Sequence, residues 1–259
     1  MVQGICKLCM EHKVLMNSHI IPRSYYKRIK NNSGQLLIIK EESKPKLMNG
    51  DSKEYLLCFD CEQYLSKEFE RYGTTIFRTS TDVIKNENHI VINTFKFKRF
   101  YLFLLSIFWR ASVCSDSTYA NIILPDEIND LFRFCILKNS LKLGKNNSIR
   151  MDHFLRICVF RVIDKTGNMP DSVIRSLITS FSFKKTSQPD FLTWYFIVEG
   201  FLIVYIMTIG KNIHDLRASR YKSQLKSGSS MKIDKINIAE SDELKIIFNT
   251  IIASTRHNV

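Results

Sequence analysis

The chain is poor in glycine, and its 9 glycines are scattered singly, so no Gly-rich phosphate-binding loop is present. It also lacks a Gly-x-Ser-x-Gly elbow and a His-Glu-x-x-His helix. These absences remove the nucleotide-binding, serine hydrolase and zinc protease classes that such motifs mark. The chemistry of the protein must therefore be sought in other residues.

Acidic side chains are also under-represented. Lys and Arg number 38 against 25 Asp and Glu, which gives a formal net charge of +13. An excess of this size favours an anionic partner, with nucleic acid first and a membrane surface second. A basic, solvated surface without a specific partner is the alternative. The densest basic stretch spans residues 211–235.

No uninterrupted apolar run is long enough to cross a membrane. The longest candidate, residues 191–209, carries Glu199-Gly200 at its middle, where a charge is costly in lipid. Its β-branched and aromatic content instead predicts two strands joined by a tight turn. The N-terminus has no apolar core of signal-peptide length. Together with seven largely unpaired cysteines, this predicts a cytoplasmic protein.

What the chain does have is ample material for a core, since 45% of its residues are hydrophobic and 18 are Phe. The polar segment at residues 81–88 predicts a boundary between a metal-binding domain, 1–80, and a second domain, 81–259. The predicted fold class is α+β, with a partly antiparallel sheet in the larger second domain. The predicted helices lie at residues 62–71, 98–113, 125–138 and 241–254, and residues 24–30 are predicted to form a short helix or a turn. The main predicted strands lie at residues 90–95, 154–163 and within 191–209.

Two Cys-x2-Cys pairs are the strongest chemical signal in the sequence. Cys6 and Cys9 form the first pair, and Cys58 and Cys61 form the second. Two such pairs can close a tetrahedral shell of four thiolates around zinc. Because that shell is full, the predicted zinc is structural and does not activate water. Ordinary thiols or a redox pair are the alternatives.

The residues between and after the pairs carry a resemblance. The first pair is followed by Ser18-His19-Ile20-Ile21-Pro22, and the second lies in Leu-Leu-Cys-x2-Cys at the start of a predicted helix. This arrangement resembles the HNH endonuclease superfamily over about the first 75 residues. It is also similar to a bacterial group that carries Ser-His-Ile-Ile-Pro and Cys-Glu-Gln-x-Leu-Ser. The resemblance implies a treble-clef fold with a ββα-metal site.

The same resemblance assigns roles to individual residues. His19 matches the general base of the family, Ser18 stands where a metal ligand is usual, and Glu62 stands where the family has His or Asn. The middle Asn of the family would fall near Lys53. We expect His19, Ser18 and Glu62 to form the catalytic site, with Glu62 binding a second ion, magnesium or manganese.

A mixed basic and aromatic segment follows the His-Ile-Ile-Pro motif. Interleaved rings and positive charges are typical of nucleic-acid surfaces, and a solvated basic face explains them equally well. The predicted contact residues are Arg23, Tyr25, Tyr26, Lys27, Arg28 and Lys30.

Three functions remain open on the sequence. The first is a metal-dependent endonuclease acting on DNA, which by resemblance would suit phage defence or a mobile element. The second is a non-catalytic zinc module that binds nucleic acid or a protein partner, motivated by the altered family positions. The third is a peripheral membrane protein that uses the basic C-terminal stretch. The sequence leaves the oligomeric state open.

Overall fold

A computed structural model describes residues 1–29, 36–39, 46–48, 51–79, 82–144, 149–185, 191–208 and 221–256. The strands are β1 Gln3–Ile5, β2 His12–His19, β3 Leu36–Ile39, β4 Lys46–Met48, β5 Lys53–Cys58, β6 Val83–Lys85, β7 His89–Ile92, β8 Leu155–Ile163, β9 Leu177–Thr179, β10 Ser182–Lys185, β11 Phe191–Val198, β12 Phe201–Thr208 and β13 Met231–Asn237. The α-helices are α1 Arg23–Ile29, α2 Phe59–Leu65, α3 Arg71–Gly73, α4 Ile76–Thr79, α5 Phe97–Val113, α6 Asp126–Leu137, α7 Met151–Phe154, α8 Asp171–Arg175 and α9 Asp242–Arg256.

A large mixed sheet dominates the molecule. Its strand order is β4-β3-β9-β11-β12-β8-β13-β7-β6, and β10 pairs with β11 beside this path. The pairs β3–β9 and β13–β8 are parallel, and the other pairs along this path are antiparallel. The expectation of an α+β fold with a partly antiparallel sheet is confirmed.

The hairpin predicted within residues 191–209 is present as β11 and β12. Its turn consists of Glu199 at φ 51° and Gly200 at φ 76°. Two positive φ values in a two-residue turn match the right-handed twist of the flanking strands. Gly200 is required for a second reason, since a Cβ there would lie 1.7 Å from Arg161 Nη1.

Helix α5 lies at the centre of the core. Its mostly apolar sequence predicts burial on all sides, and the helix packs on the large sheet through rings and hydroxyls. The Tyr205 hydroxyl donates a hydrogen bond to Leu104 O at 3.0 Å, and the Phe108 and Tyr205 rings stack at 4.5 Å. Each fully buried aromatic ring contributes roughly 1.5–3 kcal/mol of apolar burial.

A second sheet of three strands, in the order β1-β2-β5, forms the N-terminal unit. Helix α2 leaves the end of β5 and continues through a π-helical turn, Ser66–Glu70, into α3. Gly73 is the last residue of this helix, and it permits a close approach, because a Cβ there would lie 2.1 Å from Phe103 of α5.

The expected boundary near residue 80 does not separate two cores. Strands β3 and β4, which precede it in sequence, belong to the large sheet. One continuous cluster of buried side chains extends from Cys6 in the N-terminal unit through α5 to Ile233 in β13. The N-terminal unit and the large sheet therefore share a hydrophobic core, with α5 between them.

Within the described part of the chain, no helix has both the length and the apolar character needed to cross a membrane. The basic stretch at 211–235 suggested a membrane-surface function. Residues 221–235 of it are described, and residues 211–220 lie outside the described residues.

Candidate functional site

The two cysteine pairs are brought together by the local fold of the N-terminal unit. Cys6 and Cys9 lie in the turn between β1 and β2, which closes through a hydrogen bond from Met10 N to Cys6 O at 2.8 Å. Met10 adopts φ 63°, which reverses the chain at this point. Cys58 is the last residue of β5, and Cys61 lies in the first turn of α2.

The geometry of the four sulfurs fits a metal ion. All four Sγ atoms lie within 4.8 Å of one another, and those of Cys9 and Cys58 are 3.9 Å apart. A tetrahedral zinc with bonds of about 2.3 Å places its sulfurs about 3.8 Å apart. Cys6, Cys58 and Cys61 are buried, so the cluster is shielded from solvent. The predicted cluster of cysteines is therefore confirmed as a site that can hold a metal.

The crowding of the thiols affects their protonation. A hydrogen bond from Cys61 lowers the pKa of Cys6 to about 4, and several backbone N–H groups act in the same direction. Donation to Cys6, together with burial, raises the pKa of Cys61, and burial raises that of Cys9. The cluster therefore already favours a thiolate at one position, which is the form that ligates metal.

Ser18 and Glu62 lie together, as the expectation for this site requires. The Ser18 side chain is 1% exposed, and its Oγ accepts a hydrogen bond from Leu57 N at 3.2 Å. Burial raises the pKa of Glu62, whereas the Ser18 hydroxyl and the charge of Arg110 act to lower it. Glu62 Oε1 is buried and has no hydrogen-bond partner among the described residues.

His19 has a different partner. Its Nε2 lies 3.1 Å from Asp51 Oδ2, and the two side chains are 18% and 11% exposed. Burial lowers the pKa of His19, and the nearby charges of Lys53 and Arg23 act in the same direction, while Asp51 opposes them. The imidazole is therefore neutral at pH 7. An Nε2–H donated to Asp51 leaves Nδ1 as the nitrogen that can accept a proton.

The register of β2 and β5 explains why His19 lies apart from Ser18 and Glu62. Ser18 pairs with Glu54 and His19 with Lys53 across β2 and β5. Successive side chains of a strand point to opposite faces, so Ser18 and His19 do not share a face. Ser18 faces the start of α2 and Glu62, whereas His19 faces Asp51 and Lys53.

An ion pair between a buried arginine and a partly buried glutamate lies next to this site. Arg110 of α5 is 1% exposed, and its Nη1 lies 2.8 Å from Glu70 Oε1 and 3.0 Å from His19 O. Its Nη2 is buried without a hydrogen-bond partner in the part of the chain that the structure describes. The guanidinium thus connects the central helix to the strand that carries His19 and to the helix that carries Glu62.

The residues near Glu62 do not fit the expected magnesium or manganese ion. The described side chains contain one group of three or more His, Cys, Asp or Glu ligands, and it is the four cysteines. Two groups lie near Glu62: the Ser18 hydroxyl, which accepts a hydrogen bond from the backbone, and the positively charged Arg110. A hard divalent cation needs several oxygen ligands and is repelled by a guanidinium.

The predicted nucleic-acid contacts in α1 divide into exposed and buried residues. Arg23 and Lys27 are exposed, and Lys30 lies outside the described residues. Tyr25 and Tyr26 are 3% and 1% exposed, so neither presents a ring face for base stacking. The prediction that Tyr25 and Tyr26 contact nucleic acid is therefore wrong, because α1 packs against the core with both rings buried. Arg28 is bound to Glu199.

An open cleft of about 570 Å³ lies beside the helix that continues from Cys61. Its basic lining comes from Lys67, Lys96, Lys98 and Arg99, and Glu68 is its one acidic residue. Arg99 is fixed in place by hydrogen bonds to the carbonyl oxygens of Lys67 and Glu68. The three lysines are exposed. This cleft is a preformed basic surface where the N-terminal unit meets the start of α5.

Two residues of the site were missed from the sequence. They are Asp51, in a polar stretch of the sequence, and Arg110, in the mostly apolar helix α5. A charged residue inside an otherwise apolar helix is a usable signal for Arg110, because such a charge must find a buried partner.

No protein-family model, no curated protein and no solved structure matches this chain.

Proposed function

We propose that this protein binds nucleic acid, with DNA as the first substrate class, in a basic cleft where a zinc-stabilised N-terminal unit meets the start of α5. The proposal includes a treble-clef arrangement, since the cysteine-bearing turn, the β2–β5 pair and the start of α2 follow one another in the order that such a fold requires. The observation that carries the proposal is the basic cleft beside that helix. Ligation by free thiolates implies a reducing, cytoplasmic setting.

The cleft has the electrostatic character that a phosphate backbone needs. Three exposed lysines and a held arginine line one open groove, and its Glu68 carboxylate accepts a hydrogen bond from Asn139 at 3.2 Å. Neutralising phosphates releases counterions, so affinity falls steeply with salt. Lys67 lies in the π-helical turn and Lys98 in α5, so two packed helical segments present the lysines to one groove.

Reversing charge in the cleft tests this proposal. Lys67→Glu with Lys98→Glu is expected to weaken binding to a fluorescent DNA duplex by at least about tenfold, and to reduce the salt slope by about 2. Fluorescence anisotropy at several salt concentrations measures both quantities. The matched control is Lys165→Glu with Lys245→Glu, which makes the same charge change on other exposed lysines. Equal affinity of the two double variants would refute the proposal.

Phosphodiester cleavage is a second candidate function, favoured by the His19–Asp51 pair. Asp51 fixes the imidazole, and the depressed pKa keeps it neutral, as a general base must be. Neutral His19 would take a proton from the attacking water, while the positive charges of Lys53 and Arg23 stabilise the phosphate. No step is assigned to a magnesium or manganese ion, because the residues around Glu62 do not fit one.

If His19 is the base, His19→Ala lowers cleavage of plasmid DNA by roughly 100-fold or more. The wild-type rate is expected to rise with pH through the depressed pKa of His19 and then level off, and to persist without added magnesium or manganese. Gel assays across pH measure this behaviour, with His12→Ala at an exposed position of the same strand as control. Binding without cleavage, or equal rates in the two variants, would leave the non-catalytic module as the function.

A further inference from the structure

A second basic pocket lies at the turn between β11 and β12. It is a cavity of about 80 Å³, which exceeds the roughly 10–15 Å³ that one water needs. Four positive residues line it, against one carboxylate. The lining charged residues are Arg78, Lys85, Arg161, Arg175 and Glu199.

The single carboxylate in the pocket is already committed. Glu199 is 8% exposed and accepts hydrogen bonds from Arg28 Nη2 at 3.1 Å and Arg78 Nη2 at 2.7 Å. Its backbone at φ 51° is held in the turn, and the buried Arg161 donates to the Gly200 carbonyl at 2.6 Å. Glu199 therefore cannot neutralise the other cations that line the cavity.

A second acidic residue neutralises only part of the remaining charge. Asp171 is shared between Arg161 and Arg175, and Arg175 Nε lies 2.6 Å from its Oδ2. Lys85 is exposed and has no ion pair among the described residues. Arg78 and Arg175 are 53% and 60% exposed, and each guanidinium offers further N–H donors beyond the one used. An excess of positive charge with spare donors remains at the mouth.

The inner wall of the pocket is apolar. The Phe77 and Phe201 rings stack at 3.9 Å, and Val83, Ile90 and Ile92 complete the wall. Arg161 lies over the Phe201 ring at 5.3 Å. An apolar wall lowers the local dielectric, which strengthens the attraction between the cations and an anion that enters.

We propose that this pocket binds a phosphate group through Lys85, Arg175 and Arg78. A tetrahedral oxyanion offers several acceptors to converging guanidinium and ammonium donors, which matches the spare donors described above. The proposal is independent of the basic cleft, since the two sites share no residue. The phosphate group can come from a free phosphate ester or from the backbone of a bound nucleic acid.

Titration of the full chain with sodium phosphate at constant ionic strength tests the proposal, with the ³¹P line width as the direct readout. Lys85→Gln with Arg175→Gln is expected to weaken phosphate binding by at least about tenfold. Both side chains are exposed, so the variant should fold, and circular dichroism verifies this. Lys165→Gln with Lys245→Gln is the control for lost charge alone.

Two further probes separate the sources of the phosphate. Adenosine monophosphate stands for a free ester, and a short single-stranded oligonucleotide stands for a backbone. Loss of binding for phosphate and the monophosphate supports a free ligand, and loss for the oligonucleotide alone supports a backbone contact. If none of the three probes binds the pocket variant more weakly than the control variant, the proposal is wrong.

Discussion

Replacing Cys58 by serine is expected to release the metal and to unfold the N-terminal unit. Zinc binding supplies about 10–16 kcal/mol in small zinc-dependent folds, and much of it is folding free energy. Removing one thiolate leaves three ligands and a hydroxyl that binds zinc poorly. Elemental analysis should fall from one zinc per chain to a small fraction, and the thermal transition should move to lower temperature.

The effect should spread beyond the first sheet. Cys6, Cys58 and Cys61 belong to the same buried cluster as α5 and the large sheet. Near-ultraviolet circular dichroism, which reports the packing of aromatic rings, should therefore change as well. Cys114→Ser is the control, because Cys114 lies outside the sulfur cluster and its thiol donates only to a local carbonyl at 3.3 Å. Full zinc content in Cys58→Ser would contradict the assignment.

Arg110→Met is expected to destabilise the protein by about 3–5 kcal/mol at neutral pH. Loss of one partner of a buried ion pair costs this much, because the other charges remain buried without compensation. Glu70 would lose its ion pair, His19 O its hydrogen bond, and Glu62 its nearby positive charge. Chemical denaturation measures the change in the free energy of unfolding.

The pH dependence gives this prediction a second readout. Burial already raises the pKa of Glu62 in the folded protein above its value in the unfolded chain. Without Arg110 the pKa should rise further, and the folded state should then bind more protons than the unfolded state. The variant is therefore expected to recover part of its stability as the pH falls from neutral toward the pKa of Glu62, and to lose it as the pH rises.

The control is Arg133→Met. Arg133 pairs with Asp130 at 3.1 Å on a helix surface, with 26% and 66% of the two side chains exposed. This partly exposed pair contributes about 0–1 kcal/mol, and Arg133 Nη1 reaches one further acceptor, Leu8 O, at 3.5 Å, so this variant should lose far less stability than Arg110→Met. A similar loss of stability in both arginine variants would show that the interactions of Arg110 with Glu70, His19 and Glu62 contribute no more than those of Arg133.

Several elements follow directly from local sequence. Helix α5 is found within one residue of its predicted start, because its Phe and Leu content and its charged flanks define it locally. The β11–β12 hairpin follows from a Glu-Gly pair between two strands of β-branched and aromatic residues. The cysteine cluster can be predicted from the sequence, because the Cys-x2-Cys spacing alone places two ligands in each turn.

Other elements depend on contacts between distant residues. Nothing in residues 36–48 indicates that β3 and β4 join the large sheet, since β4 pairs with β3 and Leu37 of β3 pairs with Leu177 of β9, 140 residues away. The mixed pattern Tyr-Tyr-Lys-Arg in α1 is equally compatible with a binding surface and a packed helix. Only the position of α1 against the core decided that both tyrosines are buried.

The sequence by itself determined the four-cysteine cluster, the basic character and most of the long elements, because these depend on residue type and on spacing within a few turns. The tertiary structure decided which groups surround His19 and Glu62. Strand alternation turned Ser18 and His19 to opposite faces, Asp51 came beside His19, and Arg110 reached the site from the central helix. These neighbours are set by long-range packing, which local spacing does not encode.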